Sequence, residues 1–224
     1  GKREMLERER AEEALRQSEK QYRDLYEEAP NAYFSISTKD GSILRVNDAA
    51  VRLFGYGWEE FERLKVFDLY AHTADGLPKA QRLFEGFLEG QSISDEEMQM
   101  RRKDGALIWT SLSAAPITDD EGNVVESRST VIDITERKKL ELSLKEASQL
   151  NETIFASSPI GITMYDSAGQ CISANDSFGS IFGTTSEQML AQNFHDIGFW
   201  KKCGLYEKAL ESLSIGKPLT HEVN

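Results

Sequence analysis

Residues 2–29 contain neither glycine nor proline and are dense in Glu, Arg and Ala, so the chain opens on a long predicted helix. Its apolar positions form only a narrow seam, with Ala11, Leu15, Ser18, Tyr22 and Leu25 at alternating four- and three-residue steps. Such a seam buries little alone and calls for a parallel partner helix. Glu4–Arg8, Glu12–Arg16 and Glu19–Arg23 stand in the favourable i,i+4 order for ion pairs along its flank. The period then switches to alternation. Ala32 to Ile36 reads as a strand, Lys39-Asp40-Gly41-Ser42 as a hairpin turn and Ile43 to Val46 as a second strand. Asn47-Asp48 can cap a short helix whose face carries Ala49, Leu53 and Phe54 and which Gly55 stops. Apolar faces predict two further helices, over 58–64 and 78–88. Met98 and Met100 then alternate with Gln99 and Arg101, and Ile108, Thr110, Leu112 and Ala114 with Trp109, Ser111 and Ser113; residues 124–134 complete a fifth strand. Two strands, several helices, then three strands predict an α+β domain: one five-stranded antiparallel sheet with helices on one face.

The pattern then recurs. Pro30 is answered by Pro159, 129 residues on, Gly41 by Gly169, Asn47-Asp48 by Asn175-Asp176, and Phe54-Gly55 by Phe182-Gly183. Asp68 and Gly90 find counterparts in Asp196 and Gly216. The helical seam recurs too, as Leu140, Leu144, Ala147, Asn151 and Ile154. A solenoid would repeat at a far shorter period, so this is duplication of a whole domain with its preceding helix. The division expected is an N-terminal signalling helix over 1–24, a first domain over 25–136, a linker helix over 137–153 and a second domain over 154–224. Asn224 aligns with Met98, so the second copy is expected to stop short of the positions equivalent to 99–133.

Charge narrows the partners. Lys and Arg number 26 against 38 Asp and Glu, a net charge of −12. That balance repels nucleic-acid phosphates, and the one basic knot, Arg101-Arg102-Lys103, reads as a solvated strand end. No run approaches the roughly 20 apolar residues of a membrane span, and the charged N-terminus is no secretory signal, so a cytoplasmic setting is expected. Cys171 and Cys203 lie 32 residues apart without a CxxC companion, and His72, His195 and His221 lack zinc-ligand spacing. Free thiols in a reducing compartment follow. The acidic clusters Asp95-Glu96-Glu97 and Asp119-Asp120-Glu121 have no partnering base, and no nucleophile elbow, phosphate loop or kinase signature occurs. No enzyme active site is expected in this stretch.

The residues Asn47-Asp48-Ala49-Ala50-Val51-Arg52-Leu53-Phe54-Gly55-Tyr56 resemble the N-x-A-x-x-x-x-F-G-Y segment of the PAS domain family. Arg101-Arg102-Lys103-Asp104-Gly105, Trp109, Pro116-Ile117, Asp119 and Gly122 resemble its C-terminal PAC motif, and Asp133-Ile134-Thr135-Glu136-Arg137-Lys138 its closing signature. The second copy keeps Asn175, Phe182 and Gly183 but carries Thr184 for the tyrosine. The resemblance implies tandem sensory modules of a signal-transduction protein, most often a sensor histidine kinase of a two-component system. Cyclic-di-GMP enzymes and chemoreceptors use the same modules. It also implies homodimerisation through the linker helices, with Ala11, Leu15, Tyr22, Leu140, Leu144 and Ala147 as the dimer seam. Asp133, Ile134 and Thr135 would relay the signal.

The cofactor is left unknown. Light-sensing flavin domains of the family need a reactive cysteine where this chain reads Lys65-Val66-Phe67-Asp68-Leu69 and Asn193-Phe194-His195-Asp196-Ile197. Its haem sensors place a histidine six residues before the helix-ending glycine, where Phe84 and Leu210 stand here. Both chemistries are argued against, and a covalent chromophore would need a cysteine the first copy lacks. His72 in its loop, and Cys203 beside Lys201 and Lys202, are set against ordinary surface and core readings, and metal ligands are not expected. A small-ligand pocket would be lined by Phe34, Ile36, Leu44, Val46, Phe54, Phe61, Phe87, Met98, Met100 and Leu112, residues that equally serve as plain core. Two functions stay open: a ligand-gated sensor, or a ligand-free dimerising spacer that relays a signal from elsewhere.

Overall fold

The computed structural model of the protein describes residues 2–216, apart from the side chains of residues 2–7, Tyr22 and Ser186. Glu4, Tyr22, His221 and the last eight positions expected in the second domain (217–224) therefore carry no side-chain account. The chain divides into two compact units between Glu141 and Leu142.

The first unit runs α1 (Lys2–Glu27), β1 (Ala32–Ser37), β2 (Ile43–Val46), α2 (Asp48–Phe54), α3 (Trp58–Phe61), a 3-10 turn (Val66–Leu69), α4 (Leu77–Leu88), β3 (Ile93–Arg101), β4 (Leu107–Thr118) and β5 (Val124–Asp133). Its five strands pair antiparallel in the order β2-β1-β5-β4-β3, so the last strand sits at the centre beside the first. This is the α+β architecture the alternation predicts. β4 shows why: Ile108, Thr110, Leu112 and Ala114 are buried while Trp109, Ser111 and Ser113 between them are not. Phe34 from β1 meets Phe54 of α2 and Phe61 of α3 edge-on at ring separations of 5.6 and 5.9 Å, joining helices to sheet.

Three local expectations are corrected. Leu44 is half exposed, because β2 bulges: Ser35 faces Arg45 but Ile36 faces Ile43, so Leu44 is the extra residue that turns outward. Along α1, Glu12 pairs with Arg8 (2.8 Å) and Arg16 with Glu13 (3.1 Å) rather than with each other, since both choices stay on the solvent face. The basic knot is more than solvated: Arg102 Nε donates to Leu53 O at 2.5 Å and the Lys103 amide to Phe54 O at 2.9 Å. Those carbonyls end α2, where the helix dipole attracts cations, and Gly55 closes the helix in the left-handed conformation (φ 76°).

The free edge of β3 is covered by the loop after the 3-10 turn. The Ala71 amide donates to Gln99 O (3.0 Å) and the Gln99 amide to Asp75 O (2.9 Å). Gly76 closes this loop with a backbone no side chain fits, as a Cβ there would lie 2.0 Å from Ala71 O. The loop thereby fixes both Tyr70 and the start of α4.

α5 spans Thr135–Ser157, and the second unit continues with β6 (Thr163–Tyr165), β7 (Cys171–Ala174), α6 (Asp176–Phe182), α7 (Ser186–Leu190), a 3-10 turn (Phe194–Asp196), α8 (Gly198–Lys202) and α9 (Leu205–Ile215). β6 and β7 form an antiparallel hairpin. The order of elements repeats that of the first unit from β1 to α4, with α8 added between the 3-10 turn and the last helix.

Candidate functional site

A cavity of about 50 Å³ lies in the first unit between sheet and helices. Its cause is a run of small inward residues. Ser127 and Ser129 of β5, Ala114 of β4 and Ala80 of α4 face a space that larger side chains would fill. Phe34, Phe67, Phe84 and Phe87 form much of the wall, and no charged side chain lines it. Of the pocket residues expected from the sequence, Phe34, Ile36, Phe87, Met100 and Leu112 line this cavity. Val46, Phe54, Phe61 and Met98 are buried in the core instead, and Leu44 points away. Sequence reasoning missed Tyr70, Ser127 and Ser129. The signal was available: Ser127, Ser129 and Val131 share one face of β5, and two small polar residues in a row on a core face leave volume unfilled.

The polar atoms of the cavity are few. Thr38 Oγ1 donates to Val124 O at 2.6 Å, and the Ser127 and Ser129 hydroxyls bond one another at 3.0 Å. Tyr70 is buried, and burial alone pushes its phenol above the ordinary pKa, so it stays neutral.

A second constellation sits where β5 ends and α5 begins. Thr135 Oγ1 accepts from the Trp109 amide (3.0 Å), the Ile134 amide donates to Trp109 O (2.9 Å), and the Thr135 amide donates to Asp133 Oδ1 (2.8 Å). Ile134 is buried, pinning the joint to the core. One turn on, Arg137 reaches Glu97 of β3 at 2.8 Å, Lys138 pairs with the same carboxylate, and the Lys138 ammonium lies 5.2 Å from the Trp109 ring centre. The Lys138 ammonium first, and Arg137 after it, hold the Glu97 carboxyl below the usual range. The structure thus adds to Asp133, Ile134 and Thr135 the residues Trp109 and Glu97, which lie far from them in sequence, and Lys138 one turn along α5.

A third point ties the incoming helix. Asn47 is fully buried; its Nδ2 donates to Tyr26 O and Asn31 O, both at 3.0 Å, and its Oδ1 accepts from the Tyr33 amide (2.9 Å) and the Ala50 amide (3.1 Å). All four hydrogen-bonding sites of the amide are used. One side chain therefore caps α2, opens β1 and holds the last turn of α1. Asn175 does the same in the second unit, with Phe155 O, Ile160 O and the Ile162 and Phe178 amides.

Family models described as PAS domain match residues 30–136 and again residues 149–214. The chain belongs to the PAS domain family. Its tandem PAS copies are 24% identical over 200 residues to the Sensor protein TdiS of Thauera aromatica, covering 70% of this chain and 36% of that protein. The chain thus spans about a third of the length of this curated relative. Among solved structures, the PAS domain of an HTR-like protein from Haloarcula marismortui matches at 18% identity and a TM-score of 0.47, covering 56% of this chain and 99% of that one. A domain of a sensory box sensor histidine kinase/response regulator from Geobacter sulfurreducens matches at 24% identity and a TM-score of 0.43, covering 53% and 96%.

Of the helix-seam residues, Leu15, Leu140 and Leu144 are 60%, 71% and 73% exposed, and Ala11 and Ala147 are exposed as well. Cys171 is buried and burial raises its thiol pKa; Cys203 is half-buried, and neither forms a disulfide. His72 is exposed. Among the described residues no group of His, Cys, Asp and Glu could hold a metal ion, and no helix is long and apolar enough to cross a membrane.

Proposed function

We propose that this chain is a sensory and relay region of a signal-transduction protein, in which the first PAS copy binds a small molecule and passes the change into α5. The cavity between sheet and α4 carries this reading. Its wall includes Met100 and Leu112, on the same two strands that hold Glu97 and Trp109 at the start of α5. A ligand that favours one arrangement of these strands biases the joint at Asp133, Ile134 and Thr135 in proportion to its differential affinity. The likeness to the Thauera relative, a sensor protein, supports a signalling role, and we extend the proposal to a two-component histidine kinase as the whole protein. The domain division at 1–24, 25–136, 137–153 and 154–224 belongs to the same proposal, as does a cytoplasmic setting, which the buried Cys171 thiol supports.

The exposed seam supports homodimerisation through Ala11, Leu15, Tyr22, Leu140, Leu144 and Ala147, because leucines this open on a helix gain from a partner. The same observation favours a second reading, a ligand-free dimerising relay. Native mass spectrometry and an absorbance scan of purified protein separate the two. A stoichiometric bound species supports the sensor, whereas an empty dimer that takes up no small apolar compound supports the spacer. Inserting one, two or three residues within 140–147 rotates the helix seam, and output of the full-length parent is expected to change with each. Output unaffected by all three would remove the relay.

A further inference from the structure

Tyr70 places a hydroxyl in the cavity wall that the fold itself does not use. The residue is 5% exposed and lines the cavity, yet its oxygen makes no hydrogen bond to any described residue, and burial alone accounts for its raised pKa. No hydrogen bond within the described residues depends on this hydroxyl, and a phenylalanine would fill the same space. Of the other hydroxyls of the wall, Thr38 donates to Val124 O, and Ser127 and Ser129 bond each other, which leaves one proton of that pair uncommitted. No charged side chain faces the space, so an ionised ligand would lose its hydration without gaining a counter-ion. A 50 Å³ cavity holds roughly four waters, the room of a molecule with six or seven non-hydrogen atoms.

We propose that the first PAS copy selects a small uncharged molecule with an apolar body and one hydrogen-bond acceptor, a ketone or ester oxygen, which accepts a hydrogen bond from the Tyr70 hydroxyl. This deepens the sensor reading above and rests on it. The acceptor fixes the ligand's orientation, and the hydroxyl gives the loop that carries it, and covers the β3 edge, a direct means of sensing occupancy. The ligand class is thereby narrower than an apolar lining alone implies.

The test is a cycle of two proteins and two probes, cyclohexanone and its isostere methylenecyclohexane, titrated into wild type and Tyr70→Phe by calorimetry. The expected result is cyclohexanone binding about tenfold weaker to Tyr70→Phe, the loss of one buried hydrogen bond, with methylenecyclohexane unchanged or slightly tighter. Without ligand, the urea midpoint of Tyr70→Phe is expected to equal or exceed that of wild type, which a purely structural tyrosine would not allow. If both probes bind and the substitution leaves their ratio unchanged, the cavity is a binding site but Tyr70 does not select its ligand. If neither probe binds either protein, the sensor reading of the cavity falls and this inference with it.

Discussion

The two PAS copies share a local code but bury it differently. Asn47 and Asn175 make the same four hydrogen bonds, and Gly55 and Gly183 both end their helices in the left-handed conformation (φ 76° and 63°). Val66 and Phe194 both donate their amides to the turn glycine, Gly41 and Gly169, at 2.9 and 2.8 Å. Yet Phe54 is fully buried and its counterpart Phe182 is 63% exposed. In the first unit Lys103 and Arg102 of the β3–β4 turn bond the end of α2, and β3 to β5 supply the floor under it. Among the described residues of the second unit the sheet has two strands. Caps and turns are thus written in a few neighbouring residues, whereas burial of the same phenylalanine requires strands contributed from the other half of the domain.

The sharpest way to break this contrast is truncation at the two equivalent phenylalanines. Phe54→Ala is expected to cost about 4 kcal/mol, through lost burial and the cavity left behind. Phe182→Ala is expected to stay within about 0.5 kcal/mol, as an exposed substitution does. Urea unfolding checks both, with Trp58 and Trp109 reporting the first unit and Trp200 the second. Equal costs would show that Phe182 is covered by something outside the described residues.

The asparagines should behave in the opposite way, as equals. Asn47→Ala strands the Tyr33 amide and the carbonyls of Tyr26 and Asn31, while the Ala50 amide keeps the Asn47 backbone oxygen (3.0 Å), an expected loss of about 3 kcal/mol. Asn175→Ala strands the corresponding three groups, the Ile162 amide and the carbonyls of Phe155 and Ile160, and should cost its own unit a similar amount. Exchange of the amides in the last turns of α1 and α5 gives the more specific readout, since only these residues lose a tie rather than a cap. A stability loss with unchanged exchange there would reduce both asparagines to helix caps.

How far the fold was legible follows the same division. Strand alternation at Met98, Met100 and Ile108 to Ala114, the Asn47 cap and the Gly55 stop are short-range patterns, and each is visible in a window of a few residues. Leu44 was misplaced because a bulge depends on the register with β1, which neighbouring residues do not encode. The cavity escaped for a related reason. Large apolar residues announce a core, but space is made by what is missing, and Ser127, Ser129, Ala114 and Ala80 come from three elements that only the sheet brings together. The knot at Arg102 and Lys103 and the triangle of Glu97, Trp109 and Lys138 are likewise pairings across the sheet. The incoming-helix bonds of Asn47 went unread because its cap already explained its presence.

The smallest effect concerns the two ends of α5, which are held by different chemistry. Its first turn is tied by an ion pair, Glu97 with Lys138 and Arg137, and its last turn by the neutral amide of Asn175 on Phe155 O. Only the first contains a titratable group, and it titrates in acid. The Glu97 carboxyl is held below the ordinary glutamate value of 4.5, chiefly by Lys138. Because the folded pKa is depressed, the stabilisation is fully present above about 4.5 and is lost as pH falls through the folded value. Acidification should therefore lower amide protection factors over 137–141, measured relative to unstructured exchange rates, while those over 153–157 hold. Glu97→Gln should loosen the first turn at neutral pH and remove its acid dependence. The loss should be modest, since the pair is half open to solvent and screened by salt. Equal acid loosening at both ends, or a Glu97→Gln protein that keeps the pH dependence, would mean that the carboxylate is a bystander and that Thr135 and Ile134 alone hold the joint.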